Sequence, residues 1–176
     1  MFILYGVVAG VVVGLLLRGR LEHLASIRFR LWWLAVVALA IQVALFSPLA
    51  DGLPEGVPRI VYVASTIVVA VVVLANLGVP GVPLIALGAA LNLAAIVANG
   101  GAMPASETAL TTAGISVGDH TNSVVTTTPA LQPLTDVFAL PAWVPLANVF
   151  SVGDVLIGVG LAFAIAFGMR RESVTP

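Results

Sequence analysis

The chain of 176 residues contains no cysteine and no lysine, and charged residues make up only 9% of it. Without cysteine there is no disulfide framework, no thiol nucleophile and no iron–sulfur cluster. The formal net charge of −1 gives no overall field that would attract nucleic acid, so no nucleic-acid partner is expected. Soluble domains carry roughly 25% charged residues, and this composition therefore argues against a water-soluble fold.

Apolar residues replace the missing charges, at 60% of the chain with a mean hydropathy of +1.15. Five apolar stretches are long enough to cross a bilayer as helices, at residues 2–17, 31–49, 60–77, 84–98 and 148–169. We therefore predict an all-α, polytopic integral membrane protein with five transmembrane helices in a single membrane domain, residues 1–176. The lipid bilayer is then its main partner, and its predicted location is the plasma membrane of a bacterium.

The arginines predict an orientation for these helices. Alternating the spans across a membrane places six of the seven arginines on one side, namely Arg18, Arg20, Arg28, Arg30, Arg170 and Arg171. Only Arg59 falls on the other side. Because loops rich in arginine stay in the cytoplasm, the N-terminus is predicted outside and the C-terminus inside. The loop of residues 99–147 is then external.

Small residues recur at every fourth position in three of the stretches. The first stretch has Gly6, Gly10 and Gly14, which share one helix face and allow another backbone to approach closely. They indicate either packing within the chain or a homo-oligomer formed through the first helix. The same spacing predicts packing faces in the fourth and fifth stretches, at Ala86, Ala90, Ala94 and Ala98 and at Gly160, Ala164 and Gly168.

Polar side chains at membrane depth have two interpretations, a ligand pathway or hydrogen bonds between helices. They are Gln42, Ser65, Thr66, Asn76 and Asn92, and the absence of an ionisable group among them disfavours a proton relay. Asn92 and Asn99 are seven residues apart and share a face of the fourth helix. That face leads into Gly100, Gly101 and Met103, which form either a turn with free backbone N–H groups or a glycine helix cap.

The external loop holds few candidate ligands. Asp119 and His120 are adjacent, but no second ligand cluster has the spacing of a metal site, so neither a metal nor another cofactor is expected. Residues 131–146 are apolar and broken by prolines, and they include Phe138 and Trp143. This pattern predicts an interfacial or re-entrant segment folded over one end of the helices.

Asp154 is the strongest candidate for a functional side chain. With Ser151 three residues earlier, it has the spacing of a capping box, and a carboxylate in the first turn is favoured by the helix dipole. The alternative is a carboxylate at the membrane surface that pairs with Asp136 for general acid–base catalysis.

Two resemblances follow from these residues. The early arginine loop, Trp33, Gln42, the Asn99–Pro104 turn and the Phe150–Asp154 motif resemble a family of bacterial five-helix membrane proteins of unknown function, which implies no activity. Residues 135–158 are similar to the last part of lipoprotein signal peptidase, an intramembrane aspartyl protease. That resemblance implies a catalytic role for Asp154. The second catalytic aspartate of that family has no counterpart, because the matching segment here reads Asn92-Leu-Ala-Ala-Ile96.

These patterns favour a non-catalytic membrane protein, either a small-ligand or lipid binder or a subunit of a larger assembly. A membrane-surface aspartyl hydrolase is the alternative, and a small transporter acting as a dimer is the third hypothesis. The candidate ligand-binding residues are Asn92, Asn99, Gly100, Gly101, Met103, Ser151 and Asp154.

Overall fold

The computed structural model describes residues 2–45, 47–50, 52–54, 56–116, 123–126 and 128–170, and it is mostly helical. Its long helices are α1 (Ile3–Leu16), α2 (Trp32–Leu45), α3 (Val57–Leu74), α4 (Val82–Ala98) and α6 (Val152–Gly168), with a short α5 (Glu107–Ala113) before the last. On length and composition, one helix in these ranges could cross a membrane, namely α3 with 18 residues and mean hydropathy 2.3. The other four long helices are also apolar but have only 14 to 17 residues.

Glycine and proline set the starts of α3 and α4. Gly56 and Gly81 precede these helices with left-handed φ angles of 89° and 86°, and a proline follows in each first turn. The missing N–H of proline has no helical partner in a first turn anyway, so the residue is well tolerated there. The apolar pattern alone had placed the third span at residues 60–77, whereas α3 includes Pro58 and ends at Leu74.

The long helices form a row rather than a closed ring. Helix α1 packs chiefly on α6, α6 also packs on α4, α4 on α3, and α3 on α2. The order across the row is therefore α2, α3, α4, α6 and α1. Helix α6 comes last among the helices but lies between α4 and α1.

The glycine face of α1 packs against α6 of the same chain. A Cβ atom added at Gly6 would lie 2.8 Å from the Gly158 Cα, and one added at Gly10 would lie 2.9 Å from the Ala162 Cα. Gly14 faces Met169 in the same way. This contact agrees with packing within the chain, and a homo-oligomer formed through the first helix stays a prediction.

The contact between α4 and α6 uses small residues that differ from the predicted stripe. Gly81, Gly88 and Ala95 are seven residues apart, and the first two meet the backbone of α6 at Gly160 and Gly153. The prediction of a packing stripe at Ala86, Ala90, Ala94 and Ala98 is wrong, since the last three are exposed. A spacing of seven keeps residues on one seam over several turns, whereas a spacing of four drifts around the helix.

The described residues between α4 and α6 form a unit that we call the cap, and here the all-α prediction needs a correction. Strand β1 (Met103–Ala105) pairs in parallel with β2 (Ser123–Val125), and β3 (Phe138–Ala139) pairs antiparallel with β4 (Val149–Phe150). The core of the cap comprises Ala105, Ala109, Leu110, Ala113 and Val149. Ser106 caps α5 by accepting a hydrogen bond from the Ala109 N–H at 3.0 Å.

Candidate functional site

Ser151 and Asp154 form the predicted capping box at the start of α6. The Asp154 N–H donates to the Ser151 Oγ at 3.0 Å, and the Ser151 N–H donates to the Asp154 Oδ2 at 3.0 Å. Two N–H groups that lack helical partners are thereby satisfied. The serine is fully buried, so the box belongs to the interior of the protein and not to a solvated helix end.

Asn92 of α4 closes these two residues into a ring. Its Nδ2 donates to the Asp154 Oδ1 at 3.0 Å, and its Oδ1 lies 2.8 Å from the Ser151 Oγ. The single hydroxyl hydrogen of Ser151 is donated either to this oxygen or to the Asp154 Oδ2 at 3.0 Å. We call Asn92, Ser151 and Asp154 the polar ring. It cross-links α4 to α6 through side chains alone.

Two glycines make room for the ring. A Cβ atom at Gly153 would lie 2.7 Å from both the Asn92 Cγ and the Gly88 carbonyl oxygen. One at Gly88 would lie 2.9 Å from the Ile157 Cγ1. Any larger residue at these positions separates the helices and breaks the ring.

The ring occupies both oxygens of the Asp154 carboxylate with partners from the chain itself. This geometry agrees with the capping interpretation. At the position where lipoprotein signal peptidase carries its second catalytic aspartate, this chain has Ala95, which is fully buried.

Asp136 lies in the cap. Its N–H donates to the Pro104 carbonyl at 2.9 Å, and its carbonyl accepts from the Ser106 N–H at 3.0 Å. The residue is 6% exposed and forms a parallel bridge with Ala105. Its backbone therefore extends the β1 edge. The catalytic pairing of Asp136 with Asp154 stays a prediction.

The turn after α4 is a helix cap, and the hypothesis that its N–H groups are free is wrong. The Gly101 N–H donates to the Ile96 carbonyl at 2.8 Å, and the Gly100 N–H donates to the Val97 carbonyl at 3.2 Å. Both glycines have positive φ angles, of 71° and 91° in chain order, as this cap requires. The backbone donors of these two glycines are thus already used within the chain.

Asn99 holds the cap segment against the end of α4. Its Nδ2 donates to the Ala130 carbonyl at 2.9 Å, and its Oδ1 accepts from the Ala130 N–H at 2.9 Å. The same Nδ2 also donates to the Ala95 carbonyl at 2.7 Å. Met103 is 3% exposed and packs with Ala95 and Ile96 in a buried cluster, and its role in ligand binding stays a prediction.

Sequence reasoning missed a cleft beside this turn. Its lining residues are Leu53, Pro54, Gly56, Pro58 and Arg59. The aliphatic stem of Arg59 packs over Gly101, where an added Cβ atom would lie 2.7 Å from the arginine Cδ. The only sequence signal for this site is that Arg59 is the single arginine on its side of the predicted membrane.

The polar residues at depth join helices to one another or to loops. The Gln42 Nε2 donates to the Ser65 Oγ at 3.1 Å and so links α2 to α3. The Asn76 side chain pairs with the backbone of Arg30, because its Oδ1 accepts from the Arg30 N–H at 2.7 Å and its Nδ2 donates to the Arg30 carbonyl at 2.9 Å. These contacts follow the hydrogen-bonding interpretation.

No group of three or more metal-binding side chains occurs within the described ranges. Asp119 and His120, which the sequence offered as the start of a metal site, lie outside those ranges. Arg171 also lies outside them.

A family model described as a family of unknown function (DUF5317) matches residues 26–166, and the chain belongs to this family. No match was found among curated proteins or among solved structures. The local resemblance to lipoprotein signal peptidase therefore stays a hypothesis.

Proposed function

We propose that this chain is a multi-pass membrane protein with a binding function and no catalytic one. The five long helices cross the plasma membrane, with the N-terminus outside and the C-terminus in the cytoplasm. The ligand is an amphiphile with an anionic headgroup, such as a phospholipid, and it binds in the cleft beside Arg59.

The surfaces of the helices support the membrane location. Large apolar side chains are exposed on each long helix, including Val8, Leu39, Ile60, Leu87 and Phe163 at 48% or more of their area. Water would make such a surface a site of aggregation, whereas lipid solvates it. The arginine distribution supports the orientation.

The arrangement of the cleft is the observation that carries the binding proposal. Leu53, Pro54 and Pro58 supply apolar walls, and the exposed Arg59 supplies a guanidinium group at the rim. A guanidinium beside an apolar wall suits a ligand that has both a phosphate and an acyl chain.

The polar ring supports a non-catalytic role. The Asp154 carboxylate has a structural role in the ring, since its two oxygens accept hydrogen bonds from Asn92 and Ser151. Binding at the cleft requires no change in the ring, because the two sites use different residues.

Native mass spectrometry tests the binding proposal. The protein is purified from its own membranes in mild detergent, and bound phospholipids are compared between the parent, Arg59→Gln and the control Arg28→Gln. We expect Arg59→Gln to lose most of the anionic phospholipid and Arg28→Gln, an exposed arginine predicted on the other side, to retain it. Equal lipid retention by all three proteins would refute the cleft as the site.

A further inference from the structure

The cap carries exposed apolar side chains in a short segment before α6, residues 138–146. Phe138 is 45% exposed, Trp143 is 83% exposed and Leu146 is 55% exposed. This segment contains no charged residue. A patch of this kind on a solvated domain would favour aggregation, so it requires a partner.

Contacts with α1 fix the level of the segment along the helix row. The Tyr5 hydroxyl donates to the Pro145 carbonyl. Phe2 stacks on Phe150 with ring centroids 4.3 Å apart, and Phe150 stacks on Phe138 at 5.6 Å. The segment therefore lies beside the first turn of α1, where Tyr5 itself is exposed.

The lengths of α1 and α6 explain why a membrane-spanning fold would need further apolar surface at the level of the first turn of α1. Helix α1 has 14 residues and α6 has 17. At 1.5 Å per residue they are about 21 Å and 26 Å long. The hydrocarbon core of a bilayer is about 30 Å thick, so these helices alone leave part of it unmatched.

The backbone of the segment suits a position near lipid. Three of its N–H groups donate to carbonyl groups of the protein, namely those of Leu140, Ala142 and Val144. The N–H of Ala147, just after the segment, does the same. Pro141 and Pro145 have no N–H to satisfy. Non-helical backbone is tolerated in the hydrocarbon region only where protein covers it, so the segment suits the headgroup level, where water can satisfy the remaining backbone groups.

We propose that residues 138–146 are immersed in the leaflet nearest the start of α1, with Trp143 at the level of the lipid headgroups. The partner of this surface is the bilayer itself. The indole ring prefers this level because it combines an apolar body with one N–H donor. The inference rests on the proposed membrane location but not on the orientation or on the Arg59 cleft.

Tryptophan fluorescence tests the immersion. Trp32→Phe and Trp33→Phe leave Trp143 as the single tryptophan, and the protein is reconstituted in vesicles of phosphatidylcholine and phosphatidylglycerol. We expect bromine atoms near the lipid headgroups to quench Trp143 strongly and aqueous acrylamide to quench it several-fold less than a solvated control. The control is Thr126→Trp in a background without the other tryptophans, because Thr126 is an exposed residue of the cap.

Two outcomes would overturn the proposal. Quenching of Trp143 by acrylamide as strong as that of Thr126→Trp would mean that the segment lies in water. Protection from both acrylamide and brominated lipid would mean that protein covers it, for example a second copy of the chain.

A second single-tryptophan protein separates this failure from failure of the membrane proposal. Trp33→Phe combined with Trp143→Phe leaves Trp32 on α2, which is 63% exposed. Quenching of Trp32 by brominated lipid without quenching of Trp143 would refute the immersed segment and keep the membrane location. Absence of lipid quenching at both positions would refute both.

Discussion

Two asparagines, at the C-terminal ends of α3 and α4, make the same three hydrogen bonds in different surroundings. Asn76 and Asn99 each pair with both backbone groups of one loop residue, and each also donates to the carbonyl four residues earlier. Asn76 is 5% exposed, whereas the Asn99 contacts with Ala130 are exposed. The two sets of hydrogen bonds therefore contribute unequally to the free energy of unfolding. Water can replace a lost partner at an exposed site more readily than at a buried one.

The two contacts also hold different parts of the molecule. Asn76 ties Arg30, and with it the start of α2, to α3. Asn99 ties the cap to α4. Since α2 packs chiefly on α3, the buried contact secures a helix, and the exposed one secures a loop.

The largest expected effect concerns the sides of the membrane on which these two contacts lie. With the proposed orientation, Ala25→Cys near the Arg30 contact is cytoplasmic and Thr126→Cys near the Ala130 contact is external. Because the chain has no cysteine of its own, each variant carries a single thiol. An impermeant maleimide on intact cells should label the second variant and not the first. The reverse pattern would invert the topology.

The second-largest expected effect is a loss of stability on substitution of Asn92, a third asparagine. Its side chain makes hydrogen bonds to other side chains and not to the backbone. Asn92→Asp places two carboxylates together and removes the donor to Asp154, so we expect a loss of about 1.5–3 kcal/mol in the free energy of unfolding. Adding Asp154→Asn should restore most of it. The amide at position 154 can donate to the carboxylate at position 92, whose other oxygen accepts from Ser151.

Unfolding in detergent measures the free energy of unfolding of Asn92→Asp and of the double variant. Asp154→Asn alone is the control. The control should lose little stability, since a rotation of the Asn92 amide by half a turn restores every bond of the ring. Failure of the double exchange to recover stability would mean that the ring does not link α4 to α6 as described. If Asp154→Asn kept its stability but abolished a cellular function that Asp136→Asn also abolished, the hydrolase hypothesis would be favoured over binding.

Asn76→Ala should follow, with a loss of about 1–3 kcal/mol, because it leaves the backbone groups of Arg30 and the Val72 carbonyl without their partner at a part-buried site. No exchange can rescue this variant, since the partner is main chain. Thermal unfolding in detergent measures the effect. A loss no larger than that of Asn99→Ala would contradict the argument from burial.

Asn99→Ala should have the smallest effect, about 0.5–1.5 kcal/mol, since water can satisfy Ala130. Its main result should be local, with faster amide hydrogen exchange in the cap and unchanged exchange in α3 and α4. Faster exchange throughout the helices would show that the cap stabilises the whole row.

The sequence predicted the helices better than it predicted their contacts. Apolar runs located the long helices, and the glycine spacing of α1 identified its packing face. The start of α3 was predicted too late because of Pro58. Proline is compatible both with a turn and with the first turn of a helix. The strands of the cap have two or three residues each, and tertiary contacts rather than local propensity decide such pairings.

The candidate site was predicted only in part, because some of its contacts are local in the sequence and others are tertiary. The spacing of Ser151 and Asp154 is local and identified the capping box. The contribution of Asn92 depends on how α4 packs on α6, which is not a local property of the sequence. Gly88 and Gly153 do not belong to a series of small residues spaced four apart, so their role in this packing was not predicted. Asn76, taken as a residue at membrane depth, lies just beyond the end of α3 and holds a loop.

The position of α6 in the row has a consequence for biosynthesis. Helix α1 emerges first from the ribosome, yet its principal neighbour is separated from it by the whole length of the chain. Its glycine face therefore has no partner in α6 until translation has passed Met169. A truncated product that stops before α6 would leave α1 without its main partner and α4 open on one side. Synthesis of the last helix thus supplies the partner that α1 and α4 share.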